Sequence, residues 1–288
     1  MRRMILQTLF TTCAISVVGM LNSVILSRWL GPVGRGEIAA AMLWPGLFIY
    51  LSSMGLIVAT TYFSSLTSAK PRIVLNSALV MGTILGGLAL PIGFVLMPWL
   101  LKSQDAAVVS ASRWYLIVIP ISLLNQFGCG VLQGRMRIAE LNWLRMVIPA
   151  GYFLGTIILL TFNSLSLTNI IGLHLCLNAA ALAVTLLVLR KVGIGPGLRT
   201  DFVLAKQMLT YGAKVHLGQI SGLANVNLDQ VLLAAWLPPA YLGLYVVAVS
   251  SAVLSQMLAG AVQTVSMPAI AKKKSEAERG ELLQVIFR

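Results

Sequence analysis

Long apolar runs alternate along this chain with short polar gaps. The runs cover 4–30, 38–66, 73–100, 107–132, 143–162, 170–189, 215–237 and 241–270. Each reaches or exceeds the ~20 residues with which an α-helix crosses the hydrocarbon core of a bilayer, and the longer ones have to tilt or extend past it. A backbone without water to bond crosses lipid only as a helix or a closed barrel. The pattern therefore predicts an all-α fold, a polytopic membrane helix bundle of about eight transmembrane helices. Pro45, Pro91, Pro120 and Pro149 lie inside runs and are expected as kinks.

The gaps are short except for 190–214. There Gly193, Gly195, Pro196 and Gly197 break helices, and Thr200 or Asp201 then caps a short helix with Phe202, Leu204, Ala205, Met208 and Leu209 on one side. This segment reads as a linker and an interfacial helix. The expected organisation is a six-helix lobe over 1–192, a cytoplasmic linker and interfacial helix over 193–214, and the start of a second lobe over 215–288, with two helices and a cytoplasmic tail. Leu282, Leu283, Val285, Ile286 and Phe287 resemble the beginning of a further span, so the chain is expected to be a truncated form of a longer protein.

Charge orients the bundle. Of the 21 Lys and Arg residues, all but Arg28, Arg35, Lys102 and Arg113 fall in gaps on one side, which the positive-inside rule assigns to the cytoplasm together with both chain ends. The expected location is the inner, cytoplasmic membrane. The same rule accounts for the net charge of +13, so a nucleic-acid partner is not expected, while anionic membrane lipid is. With 58% hydrophobic and 10% charged residues, the chain has too few charges for a water-facing surface. Arg2 and Arg3 before an apolar run resemble a secretory signal, but no small-residue cleavage site follows and the run continues to Leu30, so a retained first span is expected. Cys13, Cys129 and Cys176 lie in three different runs, a pattern for small hydrophobes and not for a disulfide framework or a zinc site. No metal or cofactor is expected.

The seventh run repeats the first. Trp29-Leu30-Gly31-Pro32 aligns without gaps on Trp236-Leu237-Pro238-Pro239, and Gly36 then falls on Gly243, Ala41 on Ala248 and Asn22 on Asp229. Both copies run from inside to outside, which makes a parallel repeat of the kind that builds two-lobed transporters around a midplane site.

The turn motifs Ser27-Arg28-Trp29-Leu30-Gly31-Pro32 with Gly34-Arg35-Gly36-Glu37, and Leu228-Asp229-Gln230 with Pro238-Pro239 and Gly243-Leu244-Tyr245, resemble those of the polysaccharide-biosynthesis flippases of the multidrug/oligosaccharidyl-lipid/polysaccharide exporter superfamily. The resemblance implies two six-helix lobes around a central cavity and translocation of polyprenyl-diphosphate-linked oligosaccharide for O-antigen or exopolysaccharide synthesis. It implies a lipid-linked oligosaccharide as substrate, and polymerase and glycosyltransferases of the same pathway as partners. A sibling type that moves lipid II carries an arginine where this chain has Asn22, a departure that weighs against that cargo.

Intramembrane polar residues mark the candidate site. Gln219, Gly222, Asn225 and Asp229 recur at helical spacing, with Asn227 and Gln230 widening the polar face. Asp229, which would cost about 2.5–3.5 kcal/mol uncompensated at the bilayer centre, either carries a coupling proton or makes an interhelical hydrogen bond. Arg28 either meets phosphate or snorkels to headgroups, and Arg35 with Glu37 reads as a solvated pair in the outer turn. Asn125 and Gln126 bond sugar hydroxyls or a neighbouring helix. Lys214 and His216 meet an incoming diphosphate or anchor the inner face, and His174 is expected as a packed histidine. Trp44, Trp99, Trp114, Trp143 and Trp236 form an expected aromatic belt.

Two other functions compete with the flippase. A drug or cation antiporter of the same superfamily would line its cavity with acids, whereas Asp229 is the only acid well inside a run. A membrane enzyme acting on polyprenyl sugars would need carboxylate or histidine bases on sizeable loops, which the short gaps do not supply. The alternating topology has a direct test. Cysteines introduced at Lys70 and Lys102 should react with an impermeant reagent from opposite faces of the membrane; reaction from one face would end the reading.

Overall fold

A computed structural model describes residues 2–66, 70–197 and 199–249, without the side chains of 2–5 and 219–226. The chain forms two compact units, Met1–Val246 and Val247–Arg288; only residues 247–249 of the second are among those described. The elements in chain order are α1 (Arg2–Ser52), α2 (Leu56–Ser65), α3 (Pro71–Leu100), α4 (Ala106–Tyr115), α5 (Val118–Gly134), α6 (Ile138–Thr161), α7 (Leu167–Lys191), α8 (Phe202–Trp236) and α9 (Pro239–Val249). Five stretches among the described residues are long and apolar enough to cross a membrane, one of them the 47 residues Leu6–Ser52. The chain is thus a multi-pass membrane protein of the all-α class. The eighth expected span, 241–270, falls mostly outside the described residues.

The outer turn expected over 31–37 is a single residue. Gly31 alone leaves helical geometry, at φ 67° and ψ −177°, and splits α1 into two arms. Pro32 follows, with its φ preset for a first helical position, so the second arm begins at once. The second expected span, 38–66, is interrupted at 53–55, where Met54 and Gly55 take positive φ. The cause lies in α8. A Cβ on Gly55 would strike the Gly212 carbonyl, and one on Gly212 would sit 2.7 Å from the Met54 carbonyl, so the two backbones cross with no room for side chains.

α5 is the central helix, against α1, α2, α3, α6 and α7. Val118, Ile119, Leu123, Phe127, Val131 and Leu132 on it are all buried. Around it, Leu88, Val95 and Trp99 of α3 and Leu154 and Ile158 of α6 point outward. Lipid is as apolar as these side chains, so helices here associate through close packing and hydrogen bonds.

The interfacial helix expected after 193–199 is not a separate element. Asp201 caps it, its Oδ1 accepting from Val203 N at 2.9 Å and Leu204 N at 3.0 Å, but the helix then runs on unbroken as α8 to Trp236. The linker before it is tied to the start of α3. Arg72 Nε donates to Gly195 O at 2.9 Å, Asn76 Nδ2 donates to Arg199 O at 2.6 Å, and Gly197 N donates to Asn76 Oδ1 at 2.9 Å. Ser77 Oγ donates to Asp201 O at 3.2 Å. At the other end of α3, Ser103 Oγ donates to Ala235 O at 2.7 Å, and Gln104 Nε2 donates to Ala234 O at 2.9 Å and Leu237 O at 3.2 Å. Both ends of α8 are therefore held by polar groups at the two ends of α3.

Asn76 is buried and makes two of these bonds. Asn76→Ala should lower stability in detergent by about 2 kcal/mol, the sum of two modest hydrogen bonds. Thr83→Ala, an exposed change on the same helix whose hydroxyl bonds only Leu79 O, should leave thermal unfolding nearly unchanged.

Candidate functional site

The second arm of α1 presents Arg35, Ala39, Met42, Leu43, Gly46, Leu47 and Tyr50 along one helical face. These residues, with Asn227 and Gln230 of α8 and Val246 of α9, line a groove of about 470 Å³. Arg35 and Tyr50 mark its ends, about 22 Å apart at 1.5 Å per residue, which is most of a ~30 Å hydrocarbon core.

Arg35 is partly buried, and its Nε has no hydrogen-bond partner. The expected solvated pair with Glu37 does not form: the ion pair seen among the described residues is Arg137–Glu140, at 2.9 Å. Restarting the helix at Pro32 moves Arg35 out of the turn and into the body of the second arm. At the far end, the Tyr50 ring lies 5.0 Å from that of His216, which is buried with Nδ1 unpartnered. Among the described residues, no Asp or Glu lines the groove.

The sequence-selected residues divide among several environments. His216 backs the groove through Tyr50. Asp229 sits beside the groove residues Asn227 and Gln230; it is exposed, and its Oδ1 accepts the Gln230 N–H at 2.8 Å. Asn125 and Gln126 line a different cavity, where Asn125 Oδ1 accepts from Thr185 Oγ1 at 2.7 Å. Asn22 is buried on the first arm of α1 with Oδ1 lacking a donor. Arg28 and Lys214 are exposed. The side chains of Gln219 and Asn225 lie outside the described residues.

His174 is packed as expected. Tyr115 Oη lies 2.6 Å from its Nδ1, Asn178 Nδ2 lies 3.0 Å from the same atom, and Tyr152 meets the ring edge-on at 5.1 Å. Trp99, Trp114, Trp143 and Trp236 are exposed in the manner of a belt. Trp44 instead packs against the core, and its indole Nε1 is buried without a partner. Sequence reading missed Arg35 and Tyr50 as site residues. The signal that would have found them is Gly31-Pro32, a glycine break followed by a first-turn proline, which brings the next span forward by several residues.

Where the groove begins, the two repeat copies meet. A Cβ on Gly36 would strike the Pro239 carbonyl and lie 3.0 Å from Gly243 N; one on Gly243 would strike the Pro32 carbonyl and lie 2.9 Å from Gly36 N. Pro32 aligns on Pro239 and Gly36 on Gly243 in the repeat, so each copy offers its glycine to the other's proline turn. Such reciprocity is what a local two-fold axis produces.

The sequence model of the polysaccharide biosynthesis protein family matches residues 3–274. The chain belongs to this family. Among solved structures, this chain is similar to the MATE multidrug transporter DinF-BH, with TM-score 0.66 and 12% identity over 93% of this chain and 62% of that one. It is also similar to an inward-facing multidrug resistance MATE family transporter of the MOP superfamily, with TM-score 0.63 and 16% identity over 94% of this chain and 66% of that one. At these identities the likeness is one of fold. The chain spans slightly under two-thirds of the length of either structure. No curated protein sequence matches it.

The glycine contact has a sharp consequence. Gly243→Val in the full-length protein should force the two turns apart and lower stability by about 1–3 kcal/mol, the usual cost of overpacking. Gly19→Val, where an added Cβ meets nothing within 4 Å, serves as the control in the same thermal unfolding assay.

Proposed function

We propose that this family member, as part of a full-length transporter, moves a polyprenyl-diphosphate-linked oligosaccharide across the cytoplasmic membrane to supply surface polysaccharide synthesis. The observation that carries the reading is the groove: one guanidinium with an unpartnered Nε, no acid, and amide and aromatic side chains along its length. The cargo poses a problem that this arrangement answers. Its diphosphate is anionic, its sugars are hydrated and its tail dissolves in lipid. Arg35 replaces water at the diphosphate through charge-assisted hydrogen bonds, and Gln230 and Asn227 do the same for sugar hydroxyls. Tyr50, held from behind by His216, offers a flat apolar face to a sugar ring. A groove of about 470 Å³ suits the diphosphate and the first sugars, leaving the tail in lipid. Pathway polymerase and glycosyltransferases are then the partners on either side of this step.

A second reading, a cation-coupled drug antiporter, is favoured by the two multidrug transporters that share the fold. It would need a carboxylate facing the cargo, and Asp229 beside the groove is the residue to supply one.

Deleting the full-length gene should cause lipid-linked sugar repeats to accumulate on the cytoplasmic leaflet. Arg35→Gln should fail to restore export, with a loss of at least about tenfold from one charged contact, while Arg35→Lys restores part of it. Asp229→Asn should reduce export without affecting insertion if Asp229 takes part. Unchanged sugars together with altered drug tolerance would overturn the flippase and support the antiporter.

A further inference from the structure

A second cavity, of about 500 Å³, lies between α1, α2, α5 and α6 and shares no lining residue with the Arg35 groove. Its polar wall consists of Thr8, Asn125, Gln126, Gln133, Asn142 and Arg145. On α5, Asn125, Gln126 and Gln133 fall on one helical face, with Cys129 and Gly130 leaving space between them; on α6, Asn142 and Arg145 are one turn apart. The remaining wall, from Ile57, Ile138, Leu141, Leu144 and Ile148, is apolar.

The hydrogen bonding of this wall is incomplete. Asn142 is 6% exposed; its Nδ2 donates to Thr8 Oγ1 at 3.1 Å, but its Oδ1 is buried with no donor. Asn125 Oδ1 is already taken by Thr185. Arg145 is exposed where it lines the cavity, and among the described residues no Asp or Glu lines it. Arg145 also belongs to the basic gap that the charge pattern assigns to the cytoplasmic side, where anionic lipid concentrates.

Each of these groups specifies a part of a ligand. A lone guanidinium selects a phosphate oxygen over a neutral group. The Asn142 Oδ1 requires a hydroxyl or amine donor. The apolar wall accepts hydrocarbon. We propose that this cavity binds the phosphate headgroup of a hydroxyl-bearing membrane lipid, held by Arg145 and Asn142, at a site separate from the groove. Phosphatidylglycerol has this chemistry, a phosphate ester with free hydroxyls on hydrocarbon chains, whereas polyprenyl phosphate lacks the alcohol hydroxyls. The proposal rests on the membrane fold alone and not on the cargo assigned to the groove.

Cys129 lines the cavity and is a free thiol, which allows occupancy to be read without transport. The full-length protein, with every other cysteine replaced, is placed in nanodiscs of phosphatidylcholine alone, with phosphatidylglycerol, or with polyprenyl phosphate. Alkylation of Cys129 by a small maleimide should slow about tenfold with phosphatidylglycerol, as one charged contact warrants. Arg145→Gln should remove the protection and Arg145→Lys should keep part of it, whereas Arg35→Gln should leave it intact. Protection by polyprenyl phosphate alone would overturn the membrane-lipid assignment. Equal rates in all three membranes, no reaction in any, or full protection surviving Arg145→Gln would overturn the site.

Discussion

The hydrogen bonds that hold α8 at both ends of α3 are the constraint on which the groove depends. α8 carries lysines, a histidine and an aspartate, and it is not among the five stretches apolar enough to cross on composition alone. Partition into lipid therefore does not position it. Polar groups from Arg72 to Ser77 take up the backbone of the segment leading into α8, and Ser103 and Gln104 take its last carbonyls. These bonds fix the path of the chain into the helix and out of it. With both ends set, the middle of α8 crosses the broken helix at Gly55 through Gly212, and Asn227 and Gln230 come to face α1.

The electrostatics follow one plan in two places. Among the described residues, the groove and the cavity around Asn142 are each lined by a single arginine, by at least two amides and by no carboxylate. A guanidinium in such surroundings is costly when unpaired and strongly selective when an anion completes it. Acids would neutralise both sites internally and remove the selectivity.

The two-fold arrangement joins sequence and structure most directly. In the sequence the repeat is a coincidence of Trp, Pro and Gly at fixed spacing, a pattern that says nothing about contact. The structure brings the aligned prolines and glycines against one another, each glycine under the other copy's turn. Glycine is required at both positions because any side chain would occupy the space of the opposing backbone. One local sequence thus both makes the turn and supplies the surface for its own duplicate.

Run length was enough to establish a multi-pass helical bundle, and local chemistry narrowed the cap to Thr200 or Asp201 and gave a packed His174, because each depends on residues near one another in the chain. The break at Gly55 inside an apolar run, the fusion of the expected interfacial helix into α8, the removal of Arg35 from the turn into the groove and the burial of Trp44 were decided only by tertiary structure. The physical reason is that lipid and protein interior are equally apolar. A hydrophobic pattern distinguishes membrane from water, but it does not say which face of a span meets lipid and which meets another helix. Only the packing of α1 against α8 settles that, and the site lies on that face.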